Sequence, residues 1–253
     1  MRLVPVVARL SFAATLVTAV LIFTAALGRQ FHALPYPLAR TILAWGVSVG
    51  FAAIVIGFAW WIARLMTKEL GAARWGYIGF IGAIAVMIVP LNNLRLEFTQ
   101  PPLNDITTDT ETPPAFKALL PLRVGAENPP DYDGKRRVHY DGDDMDVVEA
   151  QKRAYPDAKA VKLIVKPMAL YWRAFEAAKR MDWNVVAFDK NARTIEATYT
   201  DFWTGSTSDI AIRVRPAGMG ARLDIRSKSR VGLSDAGLNA RIIKDYYSEL
   251  AGG

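Results

Sequence analysis

The sequence contains no cysteine and only two histidines among its 253 residues. The lack of cysteine excludes disulfides, thiolate metal ligands and a cysteine nucleophile. His32 and His139 stand far apart along the chain, so the sequence offers no histidine-rich metal site. We therefore predict neither a metal ion nor an organic cofactor.

Acidic residues are almost absent from the first third of the chain. Residues 1–91 hold seven of the 31 Lys and Arg residues and one of the 24 Asp and Glu residues, and so carry +6 of the net charge of +7. A nucleic-acid-binding surface would place that excess on the polar part of the chain instead. We therefore expect no nucleic-acid partner.

Long apolar runs fill the same first third. They predict a membrane domain over residues 1–91 with three transmembrane helices, at about 6–27, 38–62 and 75–91, because a span needs roughly 20 apolar residues. No Asp, Glu or Lys lies inside a run. Such groups mark transport routes, so the runs indicate anchorage rather than transport.

The first apolar run has a second interpretation as a cleaved signal peptide. Arg2 and Arg9 would form its basic region, and small residues at 24–26 would lie near the cleavage point. The apolar stretch after Arg9 exceeds the usual length of roughly 7–15 residues. This length favours a helix that stays in the protein.

Basic residues at the ends of the runs predict an orientation, because Lys and Arg collect on the cytoplasmic side. With the N-terminus inside, five such residues face the cytoplasm and three face outwards. The inner five are Arg2, Arg9, Arg64, Lys68 and Arg74, and the outer three are Arg29, Arg40 and Arg95. We expect a bacterial inner or plasma membrane protein with its polar domain on the outer, periplasmic side.

The polar part of the chain predicts an α+β domain over residues 116–253, after a linker and edge strand at 92–115. The edge strand is expected near Asp105–Thr108, and residues 124–143 are interpreted as a long surface loop. Asp144 is the expected cap of a helix that Pro156 stops. Further segments are a strand at 160–165, a helix at 167–181, four strands at 183–189, 194–202, 209–215 and 222–229, and a helix at 235–250.

Apolar and basic residues alternate in the last two strands. Ile210, Ile212 and Val214 fall on one face, and the basic side chains fall on the other. This pattern predicts an antiparallel sheet that helices cover on one face and that is wet on the other. The basic face would carry Arg213, Arg215, Arg222, Arg226 and Lys228.

Three segments resemble the DUF1499 family, a domain of unknown function. They are NDITTDTET followed by Pro113–Phe116, then Trp183–Val186, then RSKSRVGLSDAGLNARI from Arg226 to Ile242. The resemblance covers about residues 100–250. It implies a membrane-associated or envelope protein and supplies no reaction. Of the acid pair that the family often has ahead of its Ile-Arg-Val-Arg strand, only Asp209 is retained.

The third segment is the strongest candidate site. Cations, hydroxyls and glycines surround a turn between a strand and a helix start, which together suit a phosphate, a carboxylate or a lipid headgroup. The candidate anion ligands are Arg226, Ser227, Lys228, Ser229, Arg230, Ser234 and Arg241. The structural alternative is that Ser234 and Asp235 cap the helix, while Arg230 or Arg241 pairs with Asp235 or Asp209.

Two acidic runs and one histidine are weaker candidates. Residues 105–111 and 141–146 are rich in carboxylates that could bind calcium. The first run lacks the residue order of an EF-hand loop, and the second is interpreted as a solvated loop in which Asp143 or Asp144 caps the next helix. We therefore interpret both as polar segments. His139 has no nucleophile motif to act on. We predict no catalytic residue.

Three functions are compatible with these features. The first is a membrane-anchored, non-enzymatic module that binds an anion, a lipid headgroup or a protein partner in the cell envelope. The second is a structural subunit of an envelope assembly. The third is an uncharacterised hydrolase, which the lack of an activated nucleophile disfavours. Nothing in the sequence indicates the oligomeric state.

Overall fold

The computed structural model describes residues 3–31, 33–67 and 73–252. Arg2 and Lys68, which enter the orientation argument, and His32 lie outside these ranges. The helices are α1 Leu3–Gln30, α2 Tyr36–Thr67, α3 Ala73–Thr99, α4 Val147–Ala154, α5 Pro167–Arg180 and α6 Leu238–Gly252, with a 3-10 helix at Leu120–Arg123. The strands are β1 Asp105–Thr107, β2 Arg137–Tyr140, β3 Asp143–Asp146, β4 Val161–Leu163, β5 Asn184–Asp189, β6 Thr194–Thr200, β7 Thr207–Ala217 and β8 Gly220–Ser229.

The first three helices are each long and apolar enough to cross a membrane. Small residues hold them close together. The Thr15 hydroxyl donates a hydrogen bond of 2.8 Å to the carbonyl of Gly79 on α3, and a Cβ added at Gly79 would lie 2.6 Å from the backbone nitrogen of Phe12. Close packing through glycine is typical of membrane helices. Because α3 continues through Thr99, the start of the predicted linker is helical.

The α+β domain is built on one antiparallel sheet with strand order β1-β8-β7-β6-β5, and β4 also pairs with β8. The predicted four-strand meander is confirmed, and so is the edge strand near Asp105, which pairs with β8. The helices α5 and α6 lie on the apolar face of the sheet. Ile210, Ile212 and Val214 are buried there, in one core with Leu170 of α5 and Ile242 of α6.

The sequence pattern predicted that the opposite face of the sheet would be exposed to solvent. This prediction is wrong, because other residues of the chain cover that face. Residues 108–132, here named the strap, lie across it. Phe116 and Leu119 of the strap pack on Ala211 of β7, and the Glu196 carboxylate of β6 accepts backbone N–H bonds of 2.9–3.1 Å from residues 117–119. The basic residues Arg226 and Lys228 are consequently buried. Alternation identifies the two faces of a sheet, but it does not show what covers the polar one.

The predicted surface loop at 124–143 is partly a β-hairpin. β2 and β3 pair through a turn at Asp141 and Gly142, which both have positive φ. An Asp-Gly pair between alternating residues is a strong hairpin signal, and the sequence interpretation overlooked it. Because Asp144 belongs to β3, it does not cap α4. That cap is Asp146, whose side chain accepts a hydrogen bond of 2.8 Å from the Glu149 N–H.

The last helix begins at Leu238 rather than at Asp235. Ala236 and Gly237 both have positive φ and turn the chain just before the helix. Asp235 accepts hydrogen bonds from the N–H groups of Gly237 (2.8 Å) and Asn239 (2.9 Å). Asp235 therefore acts at the helix start, as the structural alternative proposed, although the helix itself starts three residues later.

Candidate anion-binding cluster

The cross-strand register brings opposite charges together on the polar face of the sheet. Lys228 of β8 lies opposite Asp209 of β7 on one side and opposite Asp105 of β1 on the other. Arg226, two residues earlier on the same strand, points to the same face. The pairing of β1, β8 and β7 thus positions Asp105, Arg226, Lys228 and Asp209 on one face of the sheet.

Asp105 forms ion pairs with two cations of β8. Its carboxylate accepts hydrogen bonds from Arg226 Nη2 (2.7 Å), Arg226 Nε (2.9 Å) and Lys228 Nζ (2.9 Å). Both cations also donate to backbone carbonyls of the strap, Arg226 to Pro130 and Lys228 to Asp131. These contacts tie the end of the strap to β8.

Asp209 forms ion pairs with two further cations. Arg230 Nη2 donates to its Oδ1 over 2.7 Å, and Arg123, at the end of the 3-10 helix, donates to its Oδ2. Arg123 also donates to the carbonyl of Asn128, over 2.8 Å. We name six residues the inner cluster: Arg123, Arg226, Lys228, Arg230, Asp105 and Asp209.

The inner cluster has more cations than carboxylates. Four positive side chains share two negative ones, and the side chains of Arg123, Arg226 and Lys228 are only 4, 3 and 6% exposed. Burial lowers the pKa of Lys228, although the charge of Asp105 opposes that shift. Burial also lowers the pKa of Arg123, against the charge of Asp209. Buried charge is costly unless it is paired, so an excess of about two positive charges is an electrostatic imbalance.

Two buried donors beside the cluster have no partner. Among the described residues, neither Nε of Arg123 nor the hydroxyl of Tyr132 has a hydrogen-bond partner. Burial raises the pKa of Tyr132, so its hydroxyl keeps its proton. The Arg226 guanidinium lies 5.6 Å from the centre of the Tyr132 ring. The guanidiniums of Arg226 and Arg123 lie 4.7 and 5.5 Å from the centre of the same Phe116 ring. Buried polar groups are rarely left without a partner, and each orphan here is a donor.

Further along β7 and β8 lies a more exposed group, the outer cluster. Asp109 of the strap and Asp224 of β8 share three arginines, with separations of 2.7–3.4 Å. The arginines are Arg213, Arg215 and Arg222. Burial raises the pKa of Asp109, but hydrogen bonds from Thr112 and Arg215 and the charge of Arg222 outweigh it and hold the pKa at about 2. The outer cluster therefore fastens the strap to the sheet.

The structure separates the residues of the predicted site into two groups. Arg226, Lys228 and Arg230 meet in the inner cluster, and the Arg230–Asp209 pair is the one that the structural alternative proposed. Ser227 and Ser229 point to the other face and bond to the Asn239 side chain of α6. Ser234 accepts a hydrogen bond from the Ala236 N–H. The exposed Arg241 lies in the first turn of α6, where its backbone N–H donates to the carbonyl of Gly237. Anion binding by the seven residues stays a prediction.

Sequence reasoning missed Arg123 and Tyr132 altogether. They lie in a segment without periodicity, and Arg123 is 86 residues away from its partner Asp209. The sequence places Asp105 in a polar run, for which a calcium site is the alternative interpretation. No group of three or more His, Asp or Glu side chains suited to a metal occurs in the part of the chain that the structure describes. In the hairpin run, the exposed Asp144 instead contacts His139 over 2.8 Å.

The three apolar helices and the α+β domain together define a membrane-associated protein with a polar domain. A family model described as "Protein of unknown function (DUF1499)" matches residues 105–250, more than half of the chain, and the chain belongs to this family. None of the curated proteins matches it. The matched range begins at Asp105 and contains all six residues of the inner cluster.

Proposed function

We propose that this protein is a membrane-anchored, non-enzymatic envelope module whose periplasmic domain binds a small anion at the inner cluster. The observation that carries the proposal is the imbalance of that cluster, in which four cations share two carboxylates beside two unpartnered buried donors. An anion would offset the excess charge and accept hydrogen bonds from both donors.

Access to the cluster is supported at Arg230. Its side chain is 22% exposed, whereas its partner Asp209 is fully buried. A partly exposed arginine that also contacts the buried cluster suits the entrance of an anion site. The planar guanidinium also offers paired donors that match the oxygen atoms of a carboxylate or a phosphoryl group.

The proposal is tested by native mass spectrometry of the full-length protein released from mild detergent. We expect an added mass that corresponds to an anion or an anionic lipid, and we expect Arg230→Gln to lose it. The matched control is Arg137→Gln, which removes the same charge from an exposed position of β2. Circular dichroism would establish that both variants are folded.

The proposal would be contradicted if neither the wild type nor either variant carries an added mass, also after incubation with phosphate and with carboxylates. Retention of the added mass by Arg230→Gln, or its loss from Arg137→Gln, would place the ligand elsewhere. A structural role in an envelope assembly and a hydrolase activity stay predictions of the sequence alone.

A further inference from the structure

We infer that the anion bound at the inner cluster is a doubly charged phosphoryl group, and not a monocarboxylate. This inference rests on the proposed function and narrows its ligand to one chemical class. The phosphoryl group could belong to free phosphate or to the headgroup of a phosphomonoester lipid, which have the same charge and the same acceptor oxygens.

The first argument is the size of the charge excess. Arg123, Arg226, Lys228 and Arg230 exceed Asp105 and Asp209 by two charges, and five of these six side chains are no more than 7% exposed. A phosphomonoester carries about −1.5 to −2 charges at pH 7. A monocarboxylate would leave one positive charge uncompensated in a buried setting, which is costly.

The second argument is the number and type of donors. The two orphan donors belong to different parts of the strap, Arg123 at the end of the 3-10 helix and Tyr132 at the end of the strap, where its ring lies 5.6 Å from the Arg226 guanidinium. A phosphoryl group has three acceptor oxygens, so it can accept from both orphans and still contact a guanidinium. A carboxylate has two oxygens in one plane, which fit a single guanidinium fork better than donors arriving from separate directions.

The test is calorimetric titration of the detergent-purified full chain with inorganic phosphate, sulfate and acetate at pH 5 and pH 7.5. Phosphate gains most of its second charge between these values, whereas sulfate is doubly charged at both. We expect phosphate to bind about tenfold more tightly at pH 7.5 than at pH 5, because the ligand itself gains a charge. The affinity for sulfate should change by less than about threefold between the two pH values. Sulfate is therefore the control for any effect of titrating groups of the protein itself.

The outcomes separate this inference from the proposed function. Acetate that binds as tightly as phosphate at pH 7.5 would overturn the inference, although an anion site would stand. No binding of any of the three anions would overturn both. The lipid source is tested in nanodiscs of phosphatidylcholine with and without phosphatidic acid. If the lipid headgroup is the ligand, phosphatidic acid reduces phosphate binding, and if free phosphate is the ligand, it does not.

The matched variants are again Arg230→Gln and Arg137→Gln. Arg230→Gln should weaken phosphate binding at least about tenfold, because a charged hydrogen-bonding partner is lost. Arg137→Gln should change it less than about twofold, since Arg137 is exposed on the hairpin. Equal weakening in both variants would mean that phosphate responds to the overall charge of the domain, which would also overturn the inference.

Discussion

The replacement of Asp209 by Asn tests whether buried ion pairs hold the strap on the sheet. Asp209 has no exposed side-chain surface and contacts both Arg123 and Arg230. Asparagine keeps the shape of the side chain but removes its charge. Arg123, only 4% exposed, would then be a buried cation without a carboxylate partner.

The magnitude follows from that uncompensated charge. Removal of one partner of a buried ion pair typically lowers the free energy of unfolding by about 3–5 kcal/mol. The whole free energy of unfolding of a domain is about 5–15 kcal/mol. A domain of this size loses roughly 2–4 °C of melting temperature per kcal/mol. We therefore expect Asp209→Asn to lower the melting temperature of the domain by about 6–20 °C.

The assay is thermal unfolding of the full-length protein in mild detergent, in buffer free of phosphate and sulfate. The control is Asp144→Asn, because the Asp144–His139 contact is exposed and should be worth less than about 1 kcal/mol. Adding Arg123→Met to Asp209→Asn should recover part of the loss, since it removes the unpaired cation. If the free energy of unfolding of Asp209→Asn lies within about 1 kcal/mol of the wild-type value, buried ion pairs do not hold the strap on the sheet.

Four further predictions follow from individual contacts. The pKa of Asp109 in the folded protein is about 2, below its ordinary value. Asp109 therefore stabilises the fold above pH 4, and this stabilisation disappears as the pH falls through 2. Asp109→Asn should lower the free energy of unfolding by about 2 kcal/mol at pH 7, and by less in unfolding experiments at acid pH. The stability that Asp235 contributes has the opposite pH dependence, because burial raises the pKa of Asp235 to about 6. This stabilisation is fully present below pH 4 and is lost as the pH rises through 6. Asp235→Asn should therefore remove the fall in melting temperature between pH 4 and pH 6. Glu196→Gln should cost about 1.5–3 kcal/mol in denaturant unfolding, because one amide oxygen cannot replace a carboxylate that accepts three N–H bonds. Gly79→Ala should weaken the helix bundle against dodecyl sulfate, because its Cβ would lie 2.6 Å from the Phe12 nitrogen, and unchanged resistance would contradict that packing.

Much of the fold could be predicted from local patterns. Alternation in β7 and β8 identified the core face, and Pro167 marked the start of α5 where the structure has it. Hydrophobic length located the three helices that are long and apolar enough to cross a membrane. In these elements the local pattern of apolar and polar residues predicts which side chains are buried, so contacts with distant parts of the chain need not be known.

The inner cluster could be predicted only in part. The basic residues of β8 were recognised as a group, but their partners come from β1, β7 and a segment without periodicity. Periodicity shows which face a side chain occupies and not which distant residue lies against it. For that reason the strap was missed, and Arg226 and Lys228 were wrongly expected to be solvated.

The motif that carries the family resemblance now has a structural explanation. Asn239 of α6 donates to the carbonyl of Asn104 over 3.0 Å and accepts from Ser227 over 2.6 Å, which ties the last helix to β8 and to the chain before β1. Arg226 pairs with Asp105 on the other face of the sheet. The first and third of the quoted segments therefore attach the last helix and β1 to β8.

The most direct test of the anion site is phosphate titration of Tyr132→Phe beside its melting temperature. The Tyr132 hydroxyl is buried without a partner in the described part of the chain, so its removal from the unliganded protein should be neutral or stabilising. The loss of a hydrogen bond to a charged ligand is worth about 1.5–3 kcal/mol, which is about a 10- to 150-fold loss of phosphate affinity. A variant that melts no lower than the wild type and binds phosphate that much more weakly would confirm a ligand site. A variant that binds phosphate as tightly as the wild type would contradict it and leave the inner cluster as the fastening of the strap.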